Sequence, residues 1–250
     1  MGDGRVRVTF AGSGDAFGSG GRLQACLHIA RRQGTPVLLD CGATSLVALK
    51  RLALEPNELA AVFVSHLHGD HFGGLPFLVL DGQFRRRTAP LMVAGPPGLR
   101  QRLTEMMEVL YPGSSRARRK FEVEVVELNP GEPRRIAGID VTAWEVDHAS
   151  GAPPLALRLD VDGVVIAYTG DTAWTGAIPA AAAGADLLVA EAYYVDKDIP
   201  YHLNHNTLLA HRDELTCGRI VLTHMSDDML AHTDEAAFEP AHDGFTVELG

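Results

Sequence analysis

The sequence contains few cysteines and no long apolar run. The three cysteines, Cys26, Cys41 and Cys217, are odd in number, lie far apart and form no Cys-x-x-Cys pair. We therefore expect no disulfide framework, and a reducing, cytoplasmic location. No stretch approaches the roughly 18 apolar residues that a membrane-spanning helix needs. The first ten residues, MGDGRVRVTF, contain no apolar signal region, so we expect neither secretion nor membrane insertion.

Positive charge is also scarce. The chain has 22 Lys and Arg against 32 Asp and Glu, a formal net charge of −10. Such a balance disfavours binding a polyanion over a broad surface. Two short basic runs, at 85–87 and 116–120, favour the opposite interpretation, and each is more often a solvated loop. RNA is therefore a possible but disfavoured partner.

The chain alternates short β-like runs with helix-like stretches. Twelve runs rich in Val, Ile, Leu and Phe predict strands, and the five helix candidates are residues 44–54, 97–110, 176–183, 207–215 and 227–238. Asn206 or Thr207 could cap the fourth helix. Since strands outnumber helices, a two-layered β core covered by helices fits best, an α/β fold. No linker is evident, so we expect one domain over residues 1–250.

One segment concentrates metal-ligand side chains. In VFVSHLHGDHFGG an apolar strand leads into His66, His68, Asp70 and His71, followed by two glycines. Imidazole and carboxylate suit zinc and similar first-row metals. Glycine lets the loop turn tightly enough to direct several ligands to one point. A chance occurrence of four such residues within six positions is improbable, so we predict a metal site just beyond this strand.

This motif resembles the signature of the metallo-β-lactamase superfamily. The resemblance implies a four-layered αββα sandwich, and it requires further ligands after later strands. His148 in WEVDHAS, Asp171 in VIAYTGDTAW and His224 in RIVLTHMS follow in the required order, each after an apolar run. The match extends from about Val6 to about Met225, nearly the whole chain.

The resemblance also implies how the ligands divide between two metals, Zn²⁺ or alternatively Mn²⁺. One metal would be held by His66, His68 and His148, the other by Asp70, His71 and His224, and Asp171 would bridge them. A water between two metals is activated as a nucleophile. Asp70 would also accept a proton from that water.

Two further features resemble the ribonuclease Z-like phosphodiesterases. Glu191-Ala192 follows an apolar strand, and His205-Asn206-Thr207 resembles the His-x-Thr element of that group. In this reading His205 assists the leaving group and Glu191 orients its imidazole. His202 lies three residues earlier, and the sequence leaves open which histidine belongs to the site.

One departure from ribonuclease Z narrows the function. That enzyme carries a long tRNA-binding arm between the positions of His148 and Asp171, which here lie 23 positions apart with room only for a hairpin turning at Asp162-Gly163. We therefore expect a phosphodiesterase acting on a small, cyclic or nucleotide-like substrate.

The alternatives are a carboxylic, thio- or sulfate ester or lactone hydrolase, a tRNA 3′ processing endonuclease, and a metal-binding protein without turnover. The family resemblance also favours a homodimer.

Overall fold

The first of two sheets takes six strands from residues 6–127 and one from residues 246–249. The protein is described by a computed structural model that covers residues 4–250. This sheet has seven strands in the order β14-β1-β2-β3-β4-β5-β6. Its strands are β1 (Val6–Gly12), β2 (Cys26–Ala30), β3 (Val37–Leu39), β4 (Ala61–Phe63), β5 (Leu91–Gly95), β6 (Val123–Glu127) and β14 (Thr246–Leu249). Strands β3 to β6 are parallel.

The second sheet also has seven strands, in the order β13-β12-β11-β10-β9-β8-β7. They are β7 (Arg134–Ile136), β8 (Ile139–Glu145), β9 (Leu155–Val161), β10 (Val164–Tyr168), β11 (Leu187–Glu191), β12 (Arg219–Thr223) and β13 (Glu239–Pro240). Strands β10 to β13 are parallel. Strands β9 and β10 form the predicted hairpin, and Asp162 and Gly163 have φ of 55° and 83°, as a type I′ turn requires.

Helices cover the outer face of each sheet. The helices are α1 (Ser45–Arg51), α2 (Gly69–Phe72), α3 (Leu75–Phe84), α4 (Leu99–Leu110), α5 (Ala177–Ala182), α6 (His205–Ala210) and α7 (Asp227–Leu230). Helices α1, α3 and α4 pack on the first sheet, and α5, α6 and α7 on the second. The result is the four-layered αββα sandwich expected from the sequence. Within residues 4–250, no helix is both long and apolar enough to cross a membrane.

The core between the sheets follows from alternation along the strands. In β1, Val6, Val8 and Phe10 are fully buried between the sheets, while Arg7 is exposed on the other face. Each such side chain stabilises the fold by about 1.5–3 kcal/mol relative to an exposed one. Tyr168 brings a hydroxyl into this apolar layer, and it needs a partner there. It donates to Asp40 over 2.8 Å, which links the core to the site described below.

All twelve predicted strands overlap an observed strand. The prediction missed β7 and β13, which are short strands of three and two residues. It also missed α3, whose first turn contains Pro76 and whose sequence LPFLVLDGQF lacks a helical period. Proline is tolerated at this position because the first helical N–H groups have no partner within the helix.

Candidate metal centre

The predicted ligands meet where the carboxyl ends of parallel strands face each other. His66 follows β4, Asp171 follows β10 and His224 follows β12, while His148 follows the antiparallel strand β8. Loops after parallel strands commonly form binding sites, since these strand ends lie at one edge. The short helix α2 carries Asp70 and His71, and His68 immediately precedes it.

The first group of possible ligands consists of three histidines. The atoms His68 Nδ1 and His148 Nε2 lie 3.0 Å apart. Atom His66 Nε2 lies 3.8 Å from Asp171 Oδ2, and His148 Nε2 lies 4.0 Å from the same oxygen. One ligand atom from each of His66, His68 and His148 lies within 4.8 Å of the others, so the three could hold one cation.

The second group contains two carboxylates and two histidines. Asp70 Oδ2 lies 3.2 Å from both His71 Nε2 and His224 Nε2. Asp171 Oδ1 lies 3.2 Å from His71 Nε2, and Asp171 Oδ2 lies 3.2 Å from His224 Nε2. Asp171 therefore contacts both groups and occupies the position expected of a bridging ligand. All seven predicted ligands come together.

Unpaired atoms inside the centre fit a metal. His66 Nε2, His71 Nε2 and Asp171 Oδ1 are buried and make no hydrogen bond among the described residues. Leaving several polar atoms unpaired in one place would be costly, because they have lost water without gaining a partner. These nitrogen and carboxylate oxygen atoms are directed at the same small volume. Zinc or manganese bound there would satisfy them.

Burial and nearby carboxylates have opposite effects on histidine pKa values in this centre. Burial lowers the pKa of His66 well below its usual value, and it also lowers the pKa of His148. Burial would lower the pKa of His224 too, but Asp171, Asp70 and Glu191 outweigh it and raise that pKa to about 10. The same competition raises the pKa of His71. Burial opposes ionisation of Asp171, yet His224, His71 and His66 hold its pKa well below the usual range.

Asp40 is a supporting residue that the sequence analysis did not single out. It is fully buried after β3, and its Oδ2 lies 2.7 Å from His71 Nδ1. It also accepts from the Ser65 backbone N–H over 2.7 Å and from the Ser65 hydroxyl over 2.8 Å. A carboxylate on one ring nitrogen directs the other ring nitrogen toward a metal. His148 has comparable support, because its Nδ1 lies 3.0 Å from the Tyr201 carbonyl.

The glycines of the motif are required by close backbone approach. A Cβ on Gly74 would lie 2.2 Å from the Gly42 carbonyl oxygen, and one on Gly73 would lie 2.3 Å from that of Gly69. Neither contact is possible for a larger residue without moving the backbone. The predicted tight turn at these glycines is therefore present, although its cause is packing rather than an unusual φ.

The structure brings His202, rather than His205, to the centre. His202 Nδ1 forms a short hydrogen bond with Glu191 Oε1, and its ring lies 5.0 Å from that of His148. Burial would lower its pKa, but the bond to Glu191 raises it. His205 instead accepts from the Ala237 backbone N–H over 2.9 Å.

The expected place of His205 therefore needs correction. Helix α6 begins at His205 and is capped by Asn204, whose Oδ1 accepts from the Thr207 N–H over 2.7 Å. The predicted cap at Asn206 or Thr207 was too late by at least two residues. The buried His205 lies in the first turn of the helix, packed near Phe238. Glu191 holds a histidine as expected, but that histidine is the alternative that the sequence left open.

A cavity of about 370 Å³ opens onto the centre. Its lining includes His68, Asp70, Asp171, His202 and His224. A histidine–aspartate centre at the edge of an αββα sandwich, with a cavity above it, is the arrangement of a metal-dependent hydrolase.

Comparisons with known proteins identify the family. The model of the Beta-lactamase superfamily domain matches residues 35–225. The chain therefore belongs to the β-lactamase superfamily, and it is a hydrolase of the metallo-β-lactamase fold.

Individual relatives agree with the ribonuclease Z-like branch. Ribonuclease Z of Methanosarcina acetivorans is 27% identical over 273 aligned residues, which cover 88% of each chain. The human short-form tRNase Z superposes with a TM-score of 0.77 at 25% identity, covering 96% of this chain and 98% of that one. A diphosphatase of the PhnP family shares the fold, with a TM-score of 0.78, 20% identity and 98% coverage of both chains.

Proposed function

We propose that the protein is a two-metal phosphodiesterase acting on a small phosphodiester. The observation that carries the proposal is His202, which lies in the wall of the metal cavity and is held there by Glu191. Hydrolysis of other esters needs the metal ligands but no such additional imidazole. The similarity to ribonuclease Z and to a diphosphatase, both of which act on phosphate esters or anhydrides, supports the same reaction class.

Each residue of the centre has a distinct task in this mechanism. One metal would be held by His66, His68 and His148 and the other by Asp70, His71 and His224, with Asp171 between them. Bound metals, zinc or alternatively manganese, would supply an activated water and neutralise phosphoryl charge. Asp70 Oδ2 faces His71 and His224, so its Oδ1 is the oxygen left to accept a proton from the water.

His202 would act on the leaving group. Because Glu191 accepts from Nδ1, the other ring nitrogen, Nε2, is free to hold a proton. From the cavity wall it would donate that proton to the departing oxygen, or a hydrogen bond to a phosphoryl oxygen. Glu191 also accepts from the Thr172 and Leu203 N–H groups, over 3.0 and 3.2 Å, which fixes its orientation.

Two histidines of one segment provide the test. We expect His202→Ala to lower kcat for bis(p-nitrophenyl) phosphate by about 100-fold or more while both metals stay bound, because a hydrogen bond to the phosphoryl oxygen is lost. The matched control is His205→Gln, which keeps an acceptor for the Ala237 N–H and should retain near-normal turnover. Metal content is measured on the same samples. Equal loss of metal and turnover in His202→Ala would refute the assigned role.

tRNA 3′ processing is the second candidate, favoured by the names of the relatives. The chain segment between His148 and Asp171 contains only the β9–β10 hairpin, and no arm extends from it. Cleavage of a precursor tRNA at its 3′ trailer, in preference to small diesters, would establish this alternative. Turnover of a carboxylic ester or lactone alone would establish an ester hydrolase instead. The single domain, homodimer and cytoplasmic location expected from the sequence stay predictions.

A further inference from the structure

Two chemically different sets of residues line the metal cavity. Besides the ligands and His202, it is lined by Ala16, Phe17, Tyr193, Tyr194 and Ile199. Three of these five residues are aromatic, in a chain whose aromatic content is only 6%. A volume of about 370 Å³ lies near the lower end of the usual range for small-molecule sites. The cavity therefore fits one small ligand with a charged part and a flat apolar part.

Phe17 stands at this cavity on an anchored loop. Its side chain is 84% exposed, yet the backbone beneath it is fixed by Asp15. Asp15 is fully buried and accepts from the Phe17 N–H over 3.2 Å and the Ser19 N–H over 2.9 Å. The Gln24 side chain also donates to the Ala16 carbonyl over 3.2 Å. The exposed ring thus sits on an ordered backbone at the cavity.

Tyr193 lines the same cavity, close to His202 and to the ligand His224. Its ring centroid lies 5.1 Å from that of His202 and 5.8 Å from that of His224. Burial, together with the facing carboxylate of Asp15, raises the pKa of Tyr193 to about 12, so the phenol stays neutral. Asp15 therefore contacts both Phe17 and Tyr193, and these uncharged aromatic residues line the cavity that contains the ligands.

Exposure alone does not indicate a function for Phe17, because isolated exposed apolar residues are ordinary on protein surfaces. Phe84 shows the difference. It is 82% exposed at the last position of α3, and it does not line the metal cavity. What distinguishes Phe17 is that it lines the same cavity as the predicted ligands and His202.

We propose that Phe17 is a specificity-determining residue, which stacks on a flat ring of the substrate, such as a nucleobase, while the phosphate lies at the ligands. This inference rests on the proposed phosphodiesterase function and narrows its substrate class to diesters that carry an aryl group or a base. Stacking on an exposed aromatic ring tolerates different bases, because every base has a π face.

Binding of two phosphates that differ only in the base tests the inference without turnover. The probes are AMP and ribose 5-phosphate, titrated calorimetrically into the zinc-loaded protein. We expect AMP to bind at least about fivefold more tightly, as one base–aromatic stack allows. Phe17→Ala should remove this preference by weakening AMP alone, and Phe17→Trp should restore it. Phe84→Ala is the matched control and should keep the wild-type preference.

Two outcomes would overturn the inference: equal affinities for the two probes in the wild type, or a preference for AMP that survives Phe17→Ala. Turnover separates these from a failure of the proposed function. Bis(p-nitrophenyl) and methyl p-nitrophenyl phosphate release the same product and differ in the second substituent. Phe17→Ala should raise KM more for bis(p-nitrophenyl) phosphate, which has a second aryl group beside the leaving one, than for methyl p-nitrophenyl phosphate. Hydrolysis of both diesters that is unaffected in Phe17→Ala would refute the role of Phe17 alone, whereas no hydrolysis of either by wild type would refute the phosphodiesterase.

Discussion

The two ligand groups differ in charge although they lie in the same metal centre. His66, His68 and His148 contribute only imidazoles, whereas the second group adds the carboxylates of Asp70 and Asp171 to its histidines. In the first group, burial lowers the pKa of His66 and that of His148. In the second group the carboxylates reverse this effect, and they raise the pKa of His224 to about 10.

The difference teaches that the two positions should not bind a cation equally well. Opposite charges a few ångströms apart attract strongly where water is excluded, and the second group brings two of them to one point. The first group depends on the shared Asp171 for its only carboxylate, at 3.8–4.0 Å. We therefore expect the second position to fill first and to release its metal last.

Removal of Asp171 should weaken metal binding at both groups, because both lose the same carboxylate. We expect Asp171→Ala to lower phosphodiester turnover roughly a thousandfold or more, since several kcal/mol of charge stabilisation disappear with the metals. Metal analysis should show that the protein no longer retains two metals. Asp147→Asn, an exposed carboxylate one residue before His148, is the control and should retain both. Two bound metals in Asp171→Ala would show that this residue is not the bridge.

Asp40→Asn should sharpen the comparison by affecting the second group more than the first, because Asp40 contacts His71 directly and reaches His66 only through the Ser65 hydroxyl. Asparagine tolerates the left-handed φ of 57° at this position, but it provides no charge behind His71. A loss of metal affinity of about 10–100-fold is usual when such a supporting carboxylate is removed. We expect chelator titration to release the second metal earlier and to shift release of the first metal less.

Tyr168→Phe is the control for this change, because it removes one donor to Asp40 and keeps the carboxylate. It should shift the titration less than Asp40→Asn. Equal weakening of both metals in Asp40→Asn would indicate a general loss of structure instead.

The ligand set could be predicted from the sequence because local signals define it. His66, His68, Asp70 and His71 fall within six residues, and the remaining three each follow an apolar strand. Such strand ends converge in a layered α/β fold, so order along the chain was enough. The twelve strands could also be predicted from the sequence, since alternation and β-branched residues mark them locally.

The remaining parts of the site depend on contacts that the sequence does not display. The choice between His202 and His205 turned on whether Asn204 or a later residue caps α6, a shift of a few residues. Asp40 is one acidic residue after a short strand, and only packing brings it to His71. Phe17 lies in a loop whose position at the cavity depends on the buried side chain of Asp15.

His28 offers the mildest test of the comparison, away from the ligands. It lies in β2, is only 6% exposed, and burial lowers its pKa to about 4. Burial also lowers the pKa of His66. The unfolded chain should bind a proton near pH 6.5. Between pH 6.5 and 4 the unfolded state therefore holds the proton and the folded state does not, so stability falls as the pH falls.

His28→Val should remove this part of the acid sensitivity. Between pH 7 and pH 5 we expect the wild type to lose about 2 kcal/mol more unfolding free energy than the variant. Urea unfolding of both proteins at the two pH values measures this difference, in which the titration of the metal ligands cancels. Parallel pH profiles would mean that His28 is protonated in the folded protein. Burial would then not be sufficient to keep an imidazole neutral, and the lowered pKa of His66 in the first ligand group would need another cause.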